Sequence, residues 1–449
     1  MDWRLAVAAG LLVLASCSGR APTAAEPSSA DQLNEAPTTE PERPAQSSPA
    51  PPSVPPLADP SPPPDPLVDV DRCLADAAAE SVPTTVTAAL ETAVIHPAFS
   101  EVELSASVWI EGWGEVLSIG PDRTLVPASN QKLLVAIVAN DILAPDARLR
   151  TTIERQGEDL VLRAGGDPTL TTADIDVLAK AVATKTRSAD RLIVDVSPYP
   201  QEPRAEGWLD WQIPTYVGPL SGLVLDDNRW NIDESYLGDP AVFNGHRAAE
   251  RLAEAGVDVG SVDVAASPAG EVLAEHLSPT IDELVTSMLV ASDNQHADLL
   301  LMELGRATKG TGTLAAGAAV IEDVLGDGCL RSSGASDDGS GLSRQNRRSA
   351  QELQQVLQTL DGDAREQLED QLPIGGRSGT MGRRFESDPG RVVAKTGTVI
   401  GGRALSGYTT TDSGRDVVFS VIVNGEADAA SASLPAIDEL VTTILRIET

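Results

Sequence analysis

From Val126 the chain reads VPASNQKLLVAIVANDIL, a proline-bounded loop followed by an apolar run at helical spacing, which predicts a helix with Ser129 at its first turn. Upstream, AAAESVPTTVTAALETAVIHPAF predicts helix, turn and helix, and EVELSASVWIEGWGEVLSIGP alternates as a strand pair does. The middle differs. DLVLRAGGDPTL, RLIVDVSPYP and LVLDDNRWNID are short β-type runs broken by Gly and Pro, and HRAAERLAEAG is an amphipathic helix. SPTIDELVTSMLVASDNQHADLLLMELG then predicts two helices flanking Ser292-Asp293-Asn294. RVVAKTGT, ALSGYTTT and DVVFSVIVNG follow as three strands with turns, and ASLPAIDELVTTILRIE as a closing helix. No internal repeat interrupts this order.

The first seventy residues follow no such pattern. Ala21 to Val70 holds nearly half of the 32 prolines, among Ser, Thr, Ala and acids, with Arg43 as its only base. That composition buries too little apolar surface to offset chain entropy, so an extended linker is expected. Ahead of it, Arg4 precedes an apolar run from Leu5 to Ala15, too short for a stable bilayer span, as in an export signal. Leu14-Ala15-Ser16-Cys17 has the form of a bacterial lipobox, which predicts cleavage before Cys17 and a lipid on its sulfur; an ordinary signal with an accidental Cys is the alternative. Of the three cysteines, this leaves Cys73 and Cys329 as an even pair in an exported chain, either a disulfide or two buried thiols. At 449 residues two domains are natural, and at 41% hydrophobic content a sizeable core is available. A net charge of −34 excludes nucleic acid as a partner, since no basic surplus exists to neutralise phosphates.

The chemistry starts from a scarcity. The 33 basic residues include only five lysines, and Lys132 stands three residues after Ser129, on the same face of the expected helix. A Ser hydroxyl is a weak nucleophile until a neighbour takes its proton. A lysine can take it once burial or a second cation lowers its pKa; an arginine cannot, because it keeps its proton in proteins. S-x-x-K alone is common on surface helices. Two further tripeptides change its weight: Ser292-Asp293-Asn294 between two helices and Lys395-Thr396-Gly397 at the end of a β-run. Any given tripeptide occurs at roughly one in 10⁴ positions. The three together are the trio of β-lactamases and penicillin-binding proteins.

With these motifs the chain resembles the penicillin-binding DD-peptidases of the D-alanyl-D-alanine carboxypeptidase/endopeptidase type with a large inserted domain. LRAGGDPTL (162–170), DGSGLSR (338–344) and KTGT…ALSGY (395–408) add to the resemblance, which covers about Val70 to the C-terminus. It implies an α+β fold: a β-lactamase/DD-peptidase-like antiparallel sheet flanked by helices, carrying an inserted mixed α/β domain. The corresponding boundaries are 1–17 signal peptide with lipobox, 18–69 linker, 70–142 with 278–449 catalytic domain, and 143–277 insert. It implies D-Ala-D-Ala carboxypeptidase activity, with possible DD-endopeptidase activity, on peptidoglycan stem peptides. β-Lactams would be acylating inhibitors and a lipid anchor would tie the protein to the membrane of the cell envelope.

Residue by residue, the resemblance makes Ser129 the nucleophile, Lys132 its base and Ser292 the relay toward the leaving amine. Asn294 would hold a substrate amide and orient Lys132. Lys395 and Thr396 would hold the terminal carboxylate, Gly397 would admit the substrate to the strand edge, and the N–H groups of Ser129 and Thr398 would form an oxyanion hole. Arg344 is open between the substrate side chain and a structural ion pair, and Tyr216 is a candidate wall of the cleft. Ile400 stands where some members of the family have Gln. Asp167 reads as an acceptor for turn amides and His296 as a satisfied helix histidine. With four histidines and no metal-type spacing, neither metal nor cofactor is expected. Two rivals remain: a serine β-lactamase, for which no Glu-containing deacylation motif is evident, and a binding lipoprotein on a catalytically retired fold.

Overall fold

The computed structural model of the chain describes residues 80–200, 202, 204–229, 239–327, 334–360 and 362–448, which fall in one compact unit. The expected leader and linker, Cys17, Cys73 and Cys329 lie outside the described residues.

Two five-stranded sheets organise the chain. The first has the order β2-β1-β10-β9-β8, antiparallel throughout, from β1 (Val102–Ile110), β2 (Gly114–Ile119), β8 (Val393–Val399), β9 (Gly402–Thr410) and β10 (Asp416–Gly425). Its central strand β10 is covered on both faces, which is why it reads as an almost unbroken apolar run. Val417, Phe419, Val421 and Val423 pack with α1 (Thr84–Val94) and the C-terminal helix Leu434–Leu445. Val418 and Ile422 face the opposite way, into the cluster built by the catalytic helices. The expected closing helix is present. A short helix, Ala427–Ala432, precedes Leu434–Leu445, with Ser433 between them and Pro435 near the start of the second. That proline has no N–H to donate and suits a helix start.

The second sheet has the order β6-β5-β4-β3-β7, from β3 (Arg148–Gln156), β4 (Asp159–Arg163), β5 (Ser188–Asp195), β6 (Asp258–Val264) and β7 (Glu271–Thr280). β4, β5 and β6 run parallel; β3 pairs antiparallel with β4 and β7. It has its own apolar cluster with two helices, Thr172–Ala183, opened by a Thr171/Asp174 capping box, and Pro240–Glu254. One expected strand is absent: LVLDDN forms a 3-10 turn at Asp226–Asn228 instead. Asp226, Asp227 and Asn228 all take positive φ, and the Asn228 side chain accepts from Leu225 N–H and donates to Pro219 C=O. Asn and Asp tolerate that backbone region, which a β-pattern count does not weigh.

Candidate active site

The nucleophile turn is set by its neighbours. A 3-10 turn, Ala128–Asn130, leads into α2 (Gln131–Ile142), so Ser129 sits just before the α-helix and not in its first turn. Ala128 is held at φ +49, a conformation that an L-residue keeps only when its surroundings impose it. Two glycines impose it. At Gly341 a Cβ would lie 1.9 Å from Ala128 O, and at Gly397 one would lie 2.9 Å from Pro127 O. The DGSGLSR loop and the K-T-G strand thus press on the turn from two sides at distances only glycine permits. Asn130 locks it from beneath, donating to Lys395 O at 2.8 Å and accepting from Ser406 Oγ at 2.7 Å.

Ser292 caps the helix Ile281–Ala291 in the left-handed conformation, φ +59, and Asp293 caps the next helix, Asn294–Lys309, by accepting from His296 N–H. The sharp reversal between the two helices turns Ser292 and Asn294 toward the nucleophile. His296 is otherwise occupied, its Nδ1 lying 2.8 Å from Ser287 Oγ.

These segments meet at two buried lysines. Lys132 Nζ donates to Ser129 Oγ at 3.0 Å, Asn294 Oδ1 at 2.8 Å and Ser340 O at 2.5 Å. Lys395 Nζ donates to Ser292 Oγ at 2.8 Å and Thr396 O at 2.9 Å. Both side chains have no exposed surface. Burial lowers Lys132 to about 8, against the opposing pull of Asp298, Asp338 and Asp293. Burial, and then the nearby Lys132 charge, push Lys395 well below its ordinary value. Lys132 is therefore lowered to within reach of neutrality, Lys395 lies beside it, and each donates to a serine hydroxyl.

Two carboxylates whose role no motif disclosed, Asp338 of DGSGLSR and Asp298, hold the loop beside Lys132. Asp298, one turn beyond Asn294, accepts from Gly339 N–H at 2.8 Å and Ser340 N–H at 2.9 Å with one oxygen. Asp338 accepts from Gly341 N–H, Ser343 N–H and Trp208 Nε1, among others. Together they fix the loop whose Ser340 carbonyl takes the shortest of the Lys132 hydrogen bonds. That role escaped notice because only the fold brings residues 208, 298 and 338 together.

Strand register sets where the N–H groups expected at an oxyanion hole point. Ala394 N–H leaves its own sheet for Pro373 O, so the two-residue period points Thr396 and Thr398 N–H to the same free edge of β8. A cleft of about 550 Å³ opens there, lined by Ser129, Ser292, Asn294, Thr396 and Thr398. Tyr216 and Trp211, an exposed edge-to-face pair 5.7 Å apart, line it from the segment that joins β5 to the helix Pro240–Glu254. Tyr216 also receives Asn294 Nδ2 on its carbonyl at 2.9 Å. Arg344 lines the cleft and forms no ion pair among the described residues; Ile400 lines it too, half-exposed. Asp167 lies elsewhere, accepting from Thr169 N–H in its turn. No cluster of His, Cys, Asp and Glu fit to hold a metal occurs among the described residues.

This arrangement has counterparts. The chain is 30% identical over 426 residues to Carboxypeptidase DacB of Mycolicibacterium smegmatis, covering 86% of this chain and 89% of that one. It is 29% identical over 411 residues to the D-alanyl-D-alanine carboxypeptidase of an Actinomadura species, covering 70% of this chain and 76% of that one. Among solved structures, penicillin binding protein 4 of Haemophilus influenzae superposes with a TM-score of 0.72 at 19% identity, over 80% of this chain and 99% of that one, and the same protein is also known in complex with a β-lactam. Residues 114–238 and 235–444, which include all three motifs, match the family model itself, so the chain belongs to the D-Ala-D-Ala carboxypeptidase 3 (S13) family.

Proposed function

We propose that the protein is a serine D-Ala-D-Ala carboxypeptidase acting on peptidoglycan stem peptides through an acyl-enzyme on Ser129, and that the same site cuts DD-cross-links. The observation that carries this is the Ser129–Lys132–Asn294 contact beside Lys395–Ser292. Neutral Lys132 takes the Ser129 proton as Oγ bonds to the penultimate D-Ala carbonyl carbon. The carbonyl oxygen, now an oxyanion, is met by Ser129 and Thr398 N–H. The peptide C–N bond then breaks, and Ser292 hands its proton to the departing amine while recovering one from the lysine pair. Water opens the ester with Lys132 again as base, releasing the shortened stem and restoring Ser129. Lys395 and Thr396 hold the terminal carboxylate, and Tyr216, Arg344 and Ile400 border the acyl chain.

The cleft lining contains no Asp or Glu among the described residues, which favours slow deacylation of β-lactams. β-Lactams therefore act as long-lived acylating inhibitors. Residues 70–142 and 278–449 are assigned to catalysis and 143–277 to the insert. No helix among the described residues is long and apolar enough to cross a membrane. A lipid on Cys17 would supply attachment to the membrane, the 18–69 linker reach, and a Cys73–Cys329 disulfide closure of the body.

The test is to incubate protein truncated after Cys17 with monomeric and cross-linked muropeptides and weigh the products. Loss of one D-Ala from monomers supports the assignment, and cleavage of dimers adds the endopeptidase. Fluorescent penicillin should label Ser129 stoichiometrically, and Ser129→Ala should not label. Fast turnover of a chromogenic cephalosporin would replace this assignment with a β-lactamase.

A further inference from the structure

Between the helices and β8, a 3-10 turn at Gly379–Met381 presents Thr380 to the cleft. Gly379 takes φ +52, and a Cβ there would come within 2.3 Å of Val290 O, so the turn is pressed onto the helix that ends in Ser292. Thr380 is exposed, and its Oγ1 lies 2.7 Å from Thr396 Oγ1. We propose that Thr380 is a substrate-binding residue, its hydroxyl and that of Thr396 each donating to one oxygen of the substrate's terminal carboxylate. The proposal rests on the carboxypeptidase assignment above and adds to it the second hydroxyl of the carboxylate site.

Three features of the cleft support this. Two hydroxyls at that separation match the spacing of the two oxygens of one carboxylate. In the free protein Thr396 Oγ1 donates to Thr380 Oγ1; when an acceptor-only ion arrives, both can turn their protons to it. The surroundings favour an anion: Arg344, Arg384 and Arg403 line the cleft, with no acid among the lining residues. Arg384 is paired with Asp438, but among the described residues Arg403 donates only to Val399 O, Gly402 O and Ser431 Oγ. The cleft lining as a whole therefore carries a positive charge.

Benzylpenicillin and its methyl ester separate this role from a structural one, because they differ only in the carboxylate. In Thr380→Val the acylation rate constant for benzylpenicillin should fall roughly tenfold or more, the usual range for a hydrogen bond to a charged group. The rate for the methyl ester should stay unchanged, and Thr380→Ser should restore the acid's advantage. Equal losses for both compounds, or an unchanged rate for the acid, would overturn the proposal. If the wild-type protein forms no adduct at Ser129 with either compound, the carboxypeptidase assignment fails, and this proposal fails with it.

Discussion

A lysine amine held without solvent contact favours its neutral form, and Lys132 meets that condition with Ser129 Oγ at hydrogen-bond distance. Its value of about 8 fixes the sign of the pH dependence. Only the neutral amine can take the Ser129 proton, so acylation by penicillin should climb with pH, bend near 8 and level above it. Stopped-flow acylation rates across that range check this; a flat profile would mean that Lys132 is not the base. Lys132→Arg keeps the charge but cannot lose a proton, and should cost on the order of 10²–10⁴-fold on the plateau above the bend. Asp298 tests the electrostatics. Burial, and then Asp338, push the Asp298 carboxyl well above its ordinary value, against the pull of Lys132 and of two backbone N–H groups on one of its oxygens; its charged form raises Lys132. In Asp298→Asn the side-chain oxygen can still accept both N–H groups while the charge is gone. The bend should then move to lower pH, leaving the variant faster than wild type, relative to its own plateau, on the acid side.

Elements act here through close approaches. The loop 338–344 bears on the nucleophile turn through Gly341, which combines φ +82 with near-contact to Ala128 O. Gly341→Ala meets two costs: about 1–2 kcal/mol for the left-handed backbone and a displacement of whichever segment yields. The Ala128–Asn130 turn is the partner in contact, so acylation should fall by more than the loss of thermal stability accounts for. Paired melting and acylation measurements check this, and a variant that melts lower but acylates at the wild-type rate would contradict it. The same approaches explain what the sequence could and could not disclose. β10, with Val417 to Val423 buried on both faces, and the helix 131–142 announce themselves by pattern, because burial writes itself into local composition. The three motifs are legible because their chemistry restricts residue type. Thr380, Asp298 and the Trp208–Asp338 hydrogen bond carry no local signal, since an isolated Thr or Asp looks alike in any loop. Asp226–Asn228 misled a β reading because their side chains and left-handed backbone, not the apolar period, decide the turn.

At the scale of the whole molecule, the question is whether the second sheet melts apart from the first. It has a core of its own, which favours separation. The segment between β5 and the helix Pro240–Glu254 opposes it. Tyr199, Trp208, Val217, Leu220 and Val224 of that segment are buried in the same cluster as α2 and the helix Asn294–Lys309. Its polar groups reach the active site as well: Trp208 Nε1 to Asp338, Gly218 N–H to Gln295 Oε1 at 2.8 Å, and Tyr216 O to Asn294. Withdrawing the second sheet would strip these residues from the catalytic core. Each large apolar side chain exposed costs about 1.5–3 kcal/mol, and several move together, so a state with only one sheet folded is sparsely populated. Calorimetry of the folded body should therefore show one cooperative transition. Acylation by benzylpenicillin should shift that whole transition upward, since the covalently attached group makes its non-covalent contacts only while Ser129, Asn294 and the segment behind them remain assembled. Two resolved transitions, with the lower one indifferent to penicillin, would show instead that the second sheet unfolds by itself and that its contacts at residues 199–224 contribute little to holding the site.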